Sequence, residues 1–122
     1  MSNQENIIRL SKELLTLAEQ VNSRIDAVDD FLKQQVMQLY VEVLVIDPDT
    51  QYQYGVLSYD KLDGVWCLSF QRTQYCKTRP LKNMSLVIRA RSVPYLDVLL
   101  QWYEDELQKQ LKITKEALKL EE

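Results

Sequence analysis

Residues 41–70, VEVLVIDPDTQYQYGVLSYDKLDGVWCLSF, decide how this chain is built. Two groups of turn-forming residues divide the stretch: Asp47-Pro48-Asp49-Thr50, then Asp60 with Asp63-Gly64. Asp bonds locally to the backbone, Pro fixes φ, and Gly tolerates positive φ, so each group predicts a reversal of the chain. Between them lie segments 39–46, 52–59 and 65–72, rich in the Val, Ile, Tyr, Trp and Phe that suit a pleated surface. A parallel crossover needs a dozen or more residues, so connections this short force antiparallel neighbours. The centre of the chain therefore reads as a three-stranded antiparallel meander. Trp66, Leu68 and Phe70 share one face of the third strand.

Toward the N-terminus the period changes from two to 3.6. Ile7, Leu10, Leu14, Leu17, Val21, Val28 and Phe31 recur at alternating steps of three and four, broken only by Arg24. A second row of Ile8, Leu15, Ala18, Ile25 and Leu32 widens the stripe enough to cover a sheet and meet another helix. With no Gly or Pro before Pro48, the helix should run from about residue 4 to about 35, or ~48 Å. Asn22-Ser23 is its weakest point.

Toward the C-terminus, residues 71–84 lose periodicity and carry Pro80. Residues 85–91 read equally well as a short fourth strand or as a helical turn capped by Ser85. Ser92 is placed to cap a last helix over about 93–120, with Pro94 in its first turn, where the missing N–H costs nothing. That helix is apolar nearly all round at first, with Trp102 the expected core anchor, then narrows to Leu107, Leu111 and Leu118. The fold expected is α+β, one α-βββ-α domain over 1–122 with a short fourth element.

Two features of this reading point outward. The first strand is apolar on both faces (Val41, Val43 and Val45 against Tyr40, Leu44 and Ile46), yet chain order places it at the edge of the meander. An edge strand of that kind needs something to cover or extend it. The helices, at ~42–48 Å, also outreach strands of ~27 Å. Overhanging apolar stripes call for burial, and a symmetric homodimer is the expectation.

Composition bounds the chemistry. The chain has 122 residues, 46% hydrophobic and 27% charged, with net charge −3, as expected for a globular domain without a strongly basic or acidic partner. No start resembling a signal peptide and no run of eighteen apolar residues occurs, so cytoplasmic residence without a membrane partner is expected. Cys67 and Cys76 are expected as reduced thiols. Histidine is absent, which removes the commonest general base and zinc ligand together. Asp47/Asp49 and Asp60/Asp63 sit in turns and fit no calcium-loop spacing. Cys67 lacks a base partner, so no enzyme, metal or cofactor is expected.

Two sets of residues remain as contact candidates. Tyr40, Tyr52 and Tyr54 are apolar in body and polar at the tip, as interface anchors are. The reading that follows is a non-enzymatic protein-interaction module that self-associates through helices and sheet. The other set is a run of charge. Arg72, Lys77, Arg79, Lys82, Arg89 and Arg91 lie between Asp63 and Asp97 with no acid among them, leaving −9 for the rest of the chain. These six suit an anion or a nucleic-acid backbone, although the overall acidity disfavours nucleic acid. Alternatively they pair with Glu104, Asp105 and Glu106 or with Asp26, Asp29 and Asp30.

Overall fold

The computed structural model describes residues 2–119. Ser2 opens the first helix by accepting the Glu5 N–H on its hydroxyl at 3.2 Å, which satisfies one of the amides a helix start leaves unpaired. Helix α1 then runs unbroken over Asn3–Lys33, about 46 Å. It passes through Asn22-Ser23 without interruption. Strands β1 (Val41–Ile46), β2 (Gln53–Leu62) and β3 (Val65–Gln71) follow as the antiparallel meander. A two-residue β4 (Arg79–Pro80) pairs with β3 and completes the order β1-β2-β3-β4. The described chain is thus α+β, with a short fourth strand earlier than the segment expected to supply it.

Residues 85–91 resolve as helix. Helix α2 covers Leu86–Ser92, and Ser85 caps it by accepting the Ile88 N–H at 3.4 Å. Ser92 does not cap the last helix as expected. It is buried at the end of α2 and donates its hydroxyl to the Ile88 carbonyl at 2.8 Å. A 3-10 turn over Val93–Tyr95 carries Pro94 instead and leads directly into helix α3 (Leu96–Ala117).

The turns are made as their residues require. Asp63 and Gly64 both have positive φ, 51° and 83°, between the paired Leu62 and Val65, as a two-residue hairpin of the right hand demands. In the first connection Asp47 Oδ1 accepts the Asp49 N–H at 2.9 Å and the Thr50 N–H at 3.4 Å. A bulge follows, because Val45 pairs with Gly55 while Ile46 pairs with Gln53 and leaves Tyr54 between them. Gly55 holds φ +145°, and a Cβ there would run into the Gln71 carbonyl and the Phe70 ring.

The helices cover one face of the sheet. Val41, Val43 and Val45 of β1, Leu57 and Tyr59 of β2, and Leu68 and Phe70 of β3 point into a core closed by Ile25, Leu32, Leu81, Ile88, Leu96, Leu99 and Tyr103. Tyr59 stacks on Trp66 with centroids 5.5 Å apart and meets Tyr103 edge-on at 6.1 Å. Tyr103, 3% exposed, is the aromatic anchor of α3, and Trp102 is 47% exposed, so the expectation that Trp102 anchors the core is corrected. The neighbouring position faces the sheet because Leu96, Leu99 and Tyr103 fall on one side of the helix at steps of three and four.

Strand β1 is the edge of the sheet. Only its valine face is buried, and Leu44 is exposed on the other. Its far end is closed by a side chain: the Tyr95 hydroxyl donates to the Ile46 carbonyl at 3.0 Å and lies 3.4 Å from the Ile46 amide.

Candidate binding surfaces

Helix α1 touches the body with barely half its length. Ile25 and Leu32 are buried and Val21 and Val28 are partly so. Before Val21 the apolar residues lie open: Ile7, Ile8, Leu10, Leu14, Leu15 and Leu17 are each about half exposed (49–63%). Three helical turns span about 11 residues, so Leu14 lies on the same face as Ile25, and Leu10 and Ile7 continue the line. The stripe that enters the core therefore runs on past the edge of the sheet, exposed among the described residues. Toward its other end α3 does the same, exposing Leu107, Leu111, Ile113 and Leu118.

The three candidate tyrosines are not brought together. Tyr52 and Tyr54 meet edge-on at 5.0 Å beside the bulge, with the Arg91 guanidinium 5.4 Å over the Tyr54 ring. Tyr40 lies at the opposite end of β1, where its hydroxyl bonds the Glu42 carboxylate. Burial and that bond raise its pKa well above the phenol range. With Trp102, Val41 and Glu42 it lines a shallow hollow at the sheet edge. Six residues of strand, ~20 Å, separate the two groups.

The basic segment is divided as well. Lys77, Arg79 and Lys82 line a cleft of about 500 Å³ between α1, the β2–β3 hairpin and the segment around β4. Arg89 faces an adjoining hollow with Asn22, Asp26 and Lys82. Its Nε donates to the Met84 carbonyl at 3.1 Å and Nη1 bonds the Asn22 side chain, so its geometry is fixed. Arg91 stands over Tyr54 and near Asp47, whose pKa is lowered chiefly by the Asp49 amide. Arg72 lines neither hollow. Two further lysines enter the cleft, Lys33 from α1 and Lys61 from the end of β2. Sequence gave no sign of these, because the hairpin and the helix bring them across the fold.

The cleft exists because β4 is so short. Before Ser69 no described strand pairs with β3 on the side away from β2, and the Asp29 carboxylate takes the vacant place by accepting the Leu68 N–H at 2.8 Å. The same carboxylate binds Lys33 Nζ at 2.9 Å and raises that pKa above its usual value. Ile25 and Leu68, both buried, form an apolar floor with Leu62 and Pro80. Lys61, Lys77, Arg79 and Lys82 are exposed around it, with Asp26 and Asp63.

Pairing of the basic segment with the acidic helices is not what the structure shows. Among the described residues the single ion pair is Lys33–Asp29. Glu104 and Asp105 instead take hydrogen bonds from Gln101, and Glu106 takes one from Gln110.

Cys67 and Cys76 are free thiols. Cys67 Sγ lies 3.5 Å from Ser69 Oγ, a hydroxyl that already donates to the Cys67 carbonyl. Among the described residues no three His, Cys, Asp or Glu side chains come together as metal ligands. No described helix is long and apolar enough to cross a membrane. No protein-family model, curated protein or solved structure matches the chain.

Proposed function

We propose that this chain is a non-enzymatic, cytoplasmic protein-interaction module whose first partner is a second copy of itself. The observation that carries the reading is the overhang of α1, where six Leu and Ile side chains before Val21 stand about half exposed. At roughly 100 Å² each they offer on the order of 600 Å² per protomer, approaching the ~800 Å² per partner of a standard interface. Single exposed apolar residues need no explanation, but a contiguous stripe of this size marks an association surface.

A second copy fits the stripe for two reasons. Ile7, Leu10, Leu14 and Leu17 keep the three-four spacing that lets one helix seat against another like it. The positions flanking them (Asn6, Ser11, Glu13, Ala18 and Gln20) carry a single charge, so no run of like charge opposes symmetric pairing. The stripe also continues the line of Ile25 and Leu32, so a partner helix laid along it would extend the existing core. Two free thiols among the described residues support the cytoplasmic part of the reading.

Sedimentation equilibrium over a range of concentrations tests it. The expected result is twice the 14.4 kDa chain mass, little affected by salt. Leu10→Glu with Leu14→Glu should restore the single-chain mass while leaving the helical circular dichroism of the body in place. A wild-type protein that stays at 14.4 kDa at tens of micromolar, the range where a marginal interface would still assemble, overturns the proposal. So does a double variant that remains dimeric.

A further inference from the structure

We infer that the cleft between α1, the β2–β3 hairpin and β4 is a binding site for a phosphorylated small molecule with an apolar or aromatic body. The inference stands apart from self-association, since the cleft uses α1 from Ile25 onward and the overhang uses α1 before Val21.

Volume, charge and floor agree on this class of ligand. About 500 Å³ lies within the range of small-molecule sites. Four cations converge on it from three separate elements: Lys61 from β2, Lys77 and Arg79 from the segment entering β4, and Lys82 from the 3-10 turn that follows. None of the four is in an ion pair among the described residues. Of the three carboxylates in the lining, Asp29 is committed to the Leu68 amide and to Lys33. With that pair set aside, four cations face two carboxylates, Asp26 and Asp63, so the cleft keeps an excess of positive charge inside a chain of −3.

Arg and Lys together suit a phosphate, the first as a planar fork of donors and the second as a mobile point charge. The floor of Ile25, Leu62, Leu68 and Pro80 is where the body of such a molecule would lie. Asp26 and Asp63 would accept hydrogen bonds from its hydroxyl or amino groups. A bare polyanion would meet the same two carboxylates as repulsion, and this favours a compact ligand over a nucleic-acid backbone.

Calorimetric titration of the full chain with ATP, with inorganic pyrophosphate and with a single-stranded oligonucleotide tests the assignment. ATP should bind more tightly than pyrophosphate, because it also has a body to lay on the floor. Arg79→Glu with Lys82→Glu should weaken ATP binding at least about tenfold, since it reverses two close charges. Arg72→Glu, which lies outside the cleft, should leave it unchanged. Lys77→Gln with Lys82→Gln provides a milder pair, expected to act in the same direction with an unchanged melting curve.

No heat at millimolar ATP overturns the proposal. Equal loss in the Arg72 variant also overturns it, because the charge would then act diffusely and not as a site. An oligonucleotide that binds more tightly than ATP and falls away steeply with salt would replace it with nucleic-acid binding.

Discussion

Asp29, on a helix, accepts the backbone N–H of Leu68, on a strand, at 2.8 Å, and so supplies the bond that a fourth full-length strand would have supplied. The contact is partly buried and joins residues 39 apart in sequence, which makes it the polar tie between α1 and the sheet. Asp29→Ala should leave that amide unpaired and cost about 1–3 kcal/mol. Asp29→Asn keeps an acceptor for the amide and gives up only the Lys33 partner, a surface pair worth about 0–1 kcal/mol. Urea unfolding of the two variants checks the difference, and equal losses would show that the ion pair is the larger part.

Gly55 and Gly64 should respond differently to the same change. At Gly55 an added methyl combines positive φ with a clash against Phe70 and the Gln71 carbonyl. At Gly64 the φ is also positive but the space is open. Gly64→Ala should cost about 1 kcal/mol from backbone conformation alone. Gly55→Ala should cost more than about 2 kcal/mol, strain and overpacking together. Thermal melting of each variant is the measurement.

Along α1 the stability cost of trimming a side chain should follow the body and not the sequence pattern. Leu32→Ala removes a fully buried side chain and should cost about 2–5 kcal/mol. Leu15→Ala, at an open position, should stay within about 0.5 kcal/mol. Both are to be measured at a concentration where sedimentation gives the single-chain mass. A large effect of Leu15 there would mean the overhang folds back on its own body.

The phenols give a pH signature. Burial pushes Tyr59 up to about 12 from its ordinary 10 and also raises Tyr103. Because the folded value is the higher one, the neutral phenol favours the fold. That contribution is complete below pH about 10 and is lost as pH rises through about 12. Phenolate absorbance of the folded chain should therefore show a late-titrating group of tyrosines, Tyr40 among them, that joins the rest in denaturant. Seven tyrosines titrating together near 10 in the folded protein would refute this.

Much of the fold was legible because local chemistry and tertiary packing agree. Asp63-Gly64 reads as a tight hairpin from its residues alone, whereas the first strand, apolar on both faces in sequence, buries only Val41, Val43 and Val45. What could not be read was whatever depends on a neighbour. Ser92 looked like a cap, but its hydroxyl is bound within α2 to Ile88. Trp102 looked like the anchor by size, whereas the helix phase set by Leu96 and Leu99 turns Tyr103 inward. The basic run was visible as charge and invisible as a site. Its members separate among the cleft, the hollow beside Asn22 and the Tyr54 ring, and Lys61, which joins Lys77, Arg79 and Lys82 in the cleft, sits in a part of the sequence where charges alternate in sign. No local signal marks a lysine that a hairpin will carry across the molecule.

The outer border of the sheet bears on how copies of this chain can meet. Glu42 projects from β1 as a charge, the bulge in β2 shifts the register at its end, and Tyr95 occupies the amide and carbonyl of Ile46. Each of these works against ribbon-to-ribbon growth. The assembly through α1 proposed above would then close after two chains, because the surface that would let a stack lengthen into a fibre has been blunted.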